Sequence, residues 1–204
     1  MIAAGSLEYA FSRMQSRLSR RASEGTWSAI EEARSLVPIH DAGRGSSLER
    51  LLQLLPPQPE LPDVDLAARK AWSRTVAEAA SWMPVEWGPA LAWCDSAKAP
   101  HPTLLPSLAA PGWRSRWPAG HDDPGLEELA RLVACHLARF RNALPHEANA
   151  LRRDFEQRLL AFFRRHPVQP SGAFAWLALA ALDLERLRGE IERRLAFPEA
   201  RIAA

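Results

Sequence analysis

The chain has 204 residues, of which 47% are hydrophobic and 25% are charged, and its formal net charge is +2. This length and composition are sufficient to bury the core of one domain or of two small ones. The net charge is too small to indicate binding to nucleic acid or to an anionic membrane, and we expect no nucleic-acid partner.

The cysteines and the N-terminus bear on the compartment of the protein. Cys94 and Cys135 are far apart and form no CxxC pattern, which favours two reduced thiols over a disulfide or a metal site. The first residues lack a basic stretch followed by an apolar one, so we predict no signal peptide and a cytoplasmic protein. The most apolar window, 173–182, is shorter than the roughly 20 residues of a spanning helix, so any membrane association is expected to be peripheral.

The spacing of apolar residues predicts an all-α fold. Helical periodicity runs through the sequence and alternating β-branched runs are missing, which favours packed antiparallel helices or two small helical lobes. A first helix is predicted over 7–21. A second is predicted from Thr26, whose hydroxyl would cap it, towards His40, with Pro38 shortening or kinking it.

The proline-rich segment 56–62 is the predicted internal boundary. It separates an N-terminal helical lobe, 1–55, from a main helical region, 63–204, and we expect the two to pack as one unit. A long helix is predicted to begin at Pro62 and to end before Pro84.

Three further long helices, preceded by a proline-interrupted connection, are predicted in the second half of the chain. The prolines between 100 and 111 predict short helices there. Asp123 and Pro124 form an N-cap and first-turn pair for the next helix. The other two helices are predicted over 147–165 and 171–195.

The predicted N-terminal helices carry an aromatic residue, two arginines and four apolar residues at helical spacing: Tyr9, Arg13, Arg17, Leu18, Trp27, Ile30 and Leu36. This pattern resembles the start of the central-stalk adaptor family of V-type and A-type rotary ATPases. Members of that family are funnel-shaped helical adaptors between the rotor ring and the central stalk, without catalytic residues. The resemblance covers the first quarter of the chain, so it implies a reduced, non-enzymatic relative whose partners could be rotary ATPase subunits.

The same N-terminal residues also fit a plain packing interpretation. Tyr9, Phe11 and Leu18 would then lie in the core, while Arg13 and Arg17 would form a solvated face of one helix. Neither interpretation makes these residues catalytic.

The six histidines show no metal-binding spacing, because no two of them are three or four residues apart. We therefore expect no metal and no cofactor. The alternative function is an enzyme whose polar site is assembled by tertiary structure around His40, Asp41 and His121. These residues also fit a plainer role as polar groups at helix ends and in loops.

Four pairs of adjacent arginines lie on predicted helices: Arg20–Arg21, Arg152–Arg153, Arg164–Arg165 and Arg193–Arg194. Interspersed glutamates favour solvated helix faces with ion pairs. An acidic partner or ligand is the alternative, and a continuous arginine face without paired glutamates would favour it.

The chain has eight tryptophans, and two interpretations apply to the five between residues 82 and 117. Trp82, Trp87 and Trp93 are predicted to be core side chains where helices cross. Because Trp and Arg dominate interface hot spots, an exposed patch in the proline-rich region is predicted to bind a partner. Its residues are Trp113, Arg114, Arg116 and Trp117. The sequence therefore predicts a helical adaptor or interaction protein with a protein partner.

Overall fold

The computed structural model describes residues 5–95, 105–121 and 123–197. Within these ranges the regular elements are helical and no strand occurs, which confirms the all-α prediction. The α-helices are, in chain order, α1 (Leu7–Leu18), α2 (Glu24–Glu32), α3 (Leu36–Gly43), α4 (Glu49–Leu52), α5 (Leu61–Trp82), α6 (Gly88–Cys94), α7 (Pro106–Ala109), α8 (Pro111–Arg114), α9 (Pro124–Arg141), α10 (Ala148–Arg165) and α11 (Pro170–Ala196). Single turns of 3-10 helix lie at Val85–Trp87 and Pro145–Glu147.

The short helices expected in the proline-interrupted connection are present as α7 and α8. The part of that prediction that concerns 96–104 lies outside the described residues. None of the helices in the described ranges is both long enough and apolar enough to cross a membrane.

The helix predicted between Thr26 and His40 is two helices, α2 and α3. If one helix ran through this segment, the ring of Pro38 would clash with the carbonyl of Arg34, so the chain breaks before the proline. Pro38 instead lies in the first turn of α3, where a missing N–H costs nothing. The cap of α2 is Ser23, whose hydroxyl oxygen accepts a hydrogen bond from the backbone N–H of Thr26 at 3.1 Å.

The chain divides into two compact units. Of the described residues, 5–16 and those within 74–182 form the first unit, whereas 17–73 and 183–197 form the second. The unit boundaries fall within α1, α5 and α11, so each of these helices contributes residues to both units.

This division differs from the predicted boundary at 56–62, because the proline-rich segment falls inside the second unit. Leu52 before the segment and Val64 after it are both buried in that unit, and Pro59 within it is buried too. The prolines of this segment do separate α4 from α5, because proline lacks an N–H and disfavours a helical conformation in the residue before it.

The core of the first unit is apolar and rich in aromatic side chains. The apolar side chains Leu126, Leu129 and Val133 of α9 are buried there. Residues 171–179 of α11 are all buried, so the most apolar window of the sequence is a core helix.

Asp123 ties the start of α9 to the start of α11. Its Oδ1 accepts a hydrogen bond from the N–H of Gly125 at 2.8 Å, and its Oδ2 accepts one from the N–H of Ser171 at 3.2 Å. A carboxylate is favoured at both places because helix N-termini carry partial positive charge. The predicted cap at Asp123 is therefore confirmed, and it fixes the ends of two helices.

Candidate functional site

The predicted patch centres on α8, and the structure buries its first tryptophan. Trp113 is only 1% exposed, and its ring centroid lies 5.0 Å from that of Phe174 on α11 in an edge-on arrangement. The prediction of an exposed anchor is therefore wrong for Trp113. The physical reason is that α8 has only one turn, so the side chain of Trp113 reaches the core directly beneath the helix.

The rest of the predicted patch lies nearer to solvent. Trp117 is half-buried and packs edge-on against Trp113, with the centroids 5.2 Å apart. The side chain of Arg114 is 73% exposed and forms an ion pair with Glu127 at 2.7 Å. Its guanidinium carbon also lies 6.0 Å from the centre of the Trp117 ring.

Arg116 lies over a tryptophan that sequence reasoning placed in the core. Its guanidinium carbon is 5.4 Å from the centre of the Trp93 ring, within the range of a cation–π contact. Trp93 is half-buried, unlike Trp82 and Trp87, which are buried as predicted. Arg116 is exposed and forms no ion pair with a carboxylate of the described residues.

A glycine in α8 allows Trp93 to join this surface. A Cβ atom at Gly112 would lie 2.8 Å from the Trp93 ring, so the indole packs directly on the α8 backbone. The pairing of Gly112 with a distant tryptophan leaves no signal in the sequence. We call the surface formed by Trp93, Arg114, Arg116 and Trp117 the Trp–Arg surface.

Two indole N–H groups at this surface are buried without a hydrogen-bond partner among the described residues. They are Nε1 of Trp113 and Nε1 of Trp117. Burying a donor without an acceptor is unfavourable, by about 1–3 kcal/mol for a neutral group. The surface therefore holds more hydrogen-bond donors than the described part of the chain satisfies.

The residues of the alternative enzyme site fall in separate units. His40 is half-buried on α3 in the second unit, and Asp41 beside it pairs with Arg44 at 3.0 Å. His121 is in the first unit, where its ring lies edge-on to Trp87 with centroids 4.8 Å apart. Among the described residues no group of three His, Cys, Asp or Glu side chains could hold a metal ion.

The tyrosine and the two arginines of the rotary ATPase resemblance lie on α1, and its other residues lie on α1, α2 and α3. Tyr9 is half-buried, and the guanidinium carbon of Arg13 lies 5.5 Å from the centre of the Trp82 ring. Arg17 is half-buried, and its position places it in the second unit. Phe11 stacks on Phe163 with the centroids 5.0 Å apart, which supports the packing interpretation for this residue.

The arginines on the C-terminal part of α11 are engaged in ion pairs and hydrogen bonds within the second unit. Arg194 is buried and donates to the backbone carbonyls of Ile30, Glu31 and Ala33 at the end of α2. Its Nη1 also bonds the carboxylate of Glu190 at 2.8 Å. The prediction of a solvated face is wrong for Arg194, because its fork caps a neighbouring helix.

Further contacts extend this arrangement towards the start of the unit. Arg21 donates two hydrogen bonds, of 2.8 Å and 2.5 Å, to the buried carboxylate of Asp183. Arg186 pairs with Glu31 at 2.6 Å and lies 4.1 Å from the centre of the Trp27 ring. We call the set Arg21, Asp183, Arg186, Glu190 and Arg194 the α11 network.

Carboxylate pairing also governs the ionisation of Glu190. Burial opposes the charge of this group, but hydrogen bonds from Arg194 and Arg193 outweigh it and lower the pKa of Glu190. The α11 arginines therefore have paired carboxylates, and the condition that favoured an acidic ligand at this helix is not met.

A buried histidine lies between α9 and α10 in the first unit. The ring of His136 stacks on that of Phe155 with the centroids 3.9 Å apart. Burial, reinforced by the positive charges of Arg139 and Arg152, lowers the pKa of His136 to about 4, although Asp154 acts in the opposite direction. A neutral imidazole in this position serves as a packed aromatic ring.

These observations define an all-α protein with a small surface of indoles and guanidinium groups. No protein-family model matches the chain, and neither a curated protein nor a solved structure matches it.

Proposed function

We propose that this protein acts by binding another protein through the Trp–Arg surface, as a non-enzymatic helical interaction protein. One observation carries the proposal: exposed guanidinium groups lie over half-buried indoles, with Arg116 at 5.4 Å from Trp93 and Arg114 at 6.0 Å from Trp117. Trp and Arg are the residues most enriched among interface hot spots.

The packing beneath the surface supports this proposal. Trp113 is fixed against Phe174 in the core, and Gly112 seats Trp93 on the backbone of α8. Side chains held in this way lose little conformational entropy when a partner binds, which favours affinity.

Site-specific photocrosslinking in the protein's own cells tests the proposal. Ser115 is exposed between the two arginines, and its hydroxyl donates to the carbonyl of Gly112 at 2.8 Å. Replacing it with a benzophenone-bearing amino acid should give a discrete cross-linked protein. If the cross-linked protein is a rotary ATPase subunit, it is the kind of partner that the resemblance of the N-terminal helices implies.

The matched control is Ser81, an exposed serine of the first unit whose hydroxyl donates to the carbonyl of Glu78 at 2.7 Å. The same photoreactive residue at this position should give no such product. Adding Arg116→Ala should abolish the product from position 115. A product that is equally strong from both positions, or that survives Arg116→Ala, would overturn the proposal.

A further inference from the structure

Hydrogen-bond donors outnumber acceptors at the Trp–Arg surface. The indole N–H groups of Trp113 and Trp117 find no acceptor among the described residues. The guanidinium of Arg116, which carries five N–H donors, has an aromatic ring beneath it and no carboxylate partner in the described part of the chain. Beside this surface, the carboxylate of Glu127 is already engaged by Arg114 at 2.7 Å.

We infer that the partner presents an acidic segment to this surface, with its carboxylates accepting from Arg116 and from the indole of Trp117. This inference rests on the proposed function and adds the chemistry of the partner. A surface that consists of donors is complementary to a ligand that brings acceptors. Carboxylates suit it best, because a guanidinium fork binds them with two parallel, charge-assisted hydrogen bonds.

The stacking of Arg116 favours such an ion pair. Because the guanidinium lies on Trp93, its position is restricted before any ligand arrives, and less entropy is lost when the fork binds. The indole also shields one side of the guanidinium from water, which strengthens attraction to a carboxylate.

Binding to the indole donors requires a local change of side-chain position. Nε1 of Trp117 is covered in the structure although the residue as a whole is half-buried. A rotation of this side chain would uncover the donor, and changes of this size are common when interfaces form. The indole N–H of Trp117 would then have a hydrogen-bond acceptor, which it lacks among the described residues.

The charges of this surface favour a protein segment over nucleic acid. It offers two guanidinium groups, and one of them, that of Arg114, already pairs with Glu127. Nucleic-acid affinity depends on several phosphate contacts, and the net charge of the whole protein is only +2. A short acidic segment of a protein needs fewer such contacts.

The test uses a fluorescein-labelled hexaglutamate peptide, with binding to the full-length protein followed by fluorescence anisotropy at low salt. Hexaglutamine and a labelled oligothymidylate are the comparison ligands. We expect hexaglutamate to bind at least tenfold more tightly than either. Arg116→Gln should weaken its binding about tenfold, because the charged fork is lost although the amide of glutamine can still donate a neutral hydrogen bond.

Two further variants make the test specific. Trp117→Phe keeps an aromatic ring and removes the N–H donor, and it should weaken binding of hexaglutamate about threefold. Arg153→Gln removes an exposed arginine of α10 and should leave binding unchanged. Circular dichroism checks that each variant is folded.

A direct readout follows the indole protons. In protein labelled with ¹⁵N-tryptophan, hexaglutamate should shift the N–H resonance that Trp117→Phe removes. No binding of hexaglutamate at millimolar concentration, equal binding of hexaglutamine, tighter binding of oligothymidylate, or unchanged binding by Arg116→Gln would each overturn the inference. If the cross-link from position 115 persists in that case, the proposed function stands and the acidic partner is ruled out.

Discussion

Each compact unit contains an arginine that lies over a tryptophan, and one such pair from each unit, Arg186–Trp27 and Arg116–Trp93, differs in what else the arginine contacts. In the second unit, Arg186 lies 4.1 Å from the centre of the Trp27 ring and also pairs with Glu31 at 2.6 Å. In the first unit, Arg116 lies 5.4 Å from Trp93 and has no carboxylate partner among the described residues. The same residue types therefore form an ion pair in one unit and, in the other, leave a guanidinium without a carboxylate among the described residues.

The difference arises from the neighbouring elements. In the α11 network, Arg194 donates to backbone carbonyl groups at the end of α2 and Arg186 pairs with Glu31 there, while Arg21 pairs with Asp183. The Trp–Arg surface is formed by Trp93 of α6, by the single-turn helix α8 and by the residues that follow α8, and the segment 111–117 contains no acidic side chain. Four predictions test this comparison, beginning with the largest expected effect.

The largest loss of stability is expected from Arg194→Met. The change removes a buried fork and leaves the carbonyl groups of Ile30, Glu31 and Ala33 without their donor. We expect a loss of about 3–5 kcal/mol in the free energy of unfolding, measured with urea. Arg193→Met is the matched control, because Arg193 is exposed and should contribute within about 0.5 kcal/mol. Equal effects of the two variants would contradict the role given to the α11 network.

The next largest effect is expected from Arg21→Leu, which leaves the buried Asp183 carboxylate unpaired. We expect a loss of about 3 kcal/mol in the same measurement. Arg20→Leu changes the adjacent exposed arginine and should have little effect. Combining Arg21→Leu with Asp183→Leu should restore part of the loss, since no charge then remains buried. A double variant that is less stable than Arg21→Leu alone would refute this account.

A third prediction concerns His136, whose pKa is lowered mainly by burial and further by the charges of Arg139 and Arg152. The pKa of His136 is about 4 in the folded protein and near 6.5 in the unfolded chain, so the unfolded state binds the proton more readily. The stabilising contribution is present above pH 6.5 and is lost as the pH falls towards 4. Partial access of water to the site limits the loss to about 2 kcal/mol.

Urea denaturation at a series of pH values measures this dependence. His136→Phe replaces the imidazole with a ring that does not titrate, so it should flatten the curve between pH 6.5 and 4. His146→Phe, at an exposed position, is the control. An unchanged slope in His136→Phe would show that other groups cause the pH dependence.

The smallest stability effects separate the two arginine–tryptophan pairs directly. Arg186→Gln removes an ion pair whose arginine side chain is 14% exposed, together with the contact to Trp27, and should cost about 1–2 kcal/mol. Arg116→Gln removes an exposed guanidinium and should cost less than about 0.5 kcal/mol. The order of the two losses is the test, and its reversal would make Arg116 a structural residue.

Local sequence signals predicted much of the secondary structure. The pair Asp123 and Pro124 marks the start of α9, because a carboxylate cap and a proline at the first helical position act within a few residues. The break between α2 and α3 was misplaced because a proline also restricts the helix before it, a full turn upstream.

The candidate site was predicted in part. The segment Trp113–Trp117 was found from its composition, but its residues separate into a buried tryptophan and three groups nearer to solvent. Trp93 was missed because its contact with Gly112 joins positions far apart in the chain. The predicted partner, the rotary ATPase resemblance and the alternative enzyme site all stay predictions.

The sequence by itself determined that this protein is helical and where its strongest helix begins, because periodicity and capping are local properties. Only the tertiary structure distinguishes the arginines whose guanidinium groups have hydrogen-bond acceptors among the described residues from those whose guanidinium groups lack them. Arg194 and Arg116 have similar neighbours in the sequence, because each is adjacent to a charged or polar residue. One is buried against the carbonyl end of α2, and the other lies on an indole at the surface. Hydrogen-bond saturation depends on the acceptors that folding brings within about 3 Å, and residue spacing does not encode these distances.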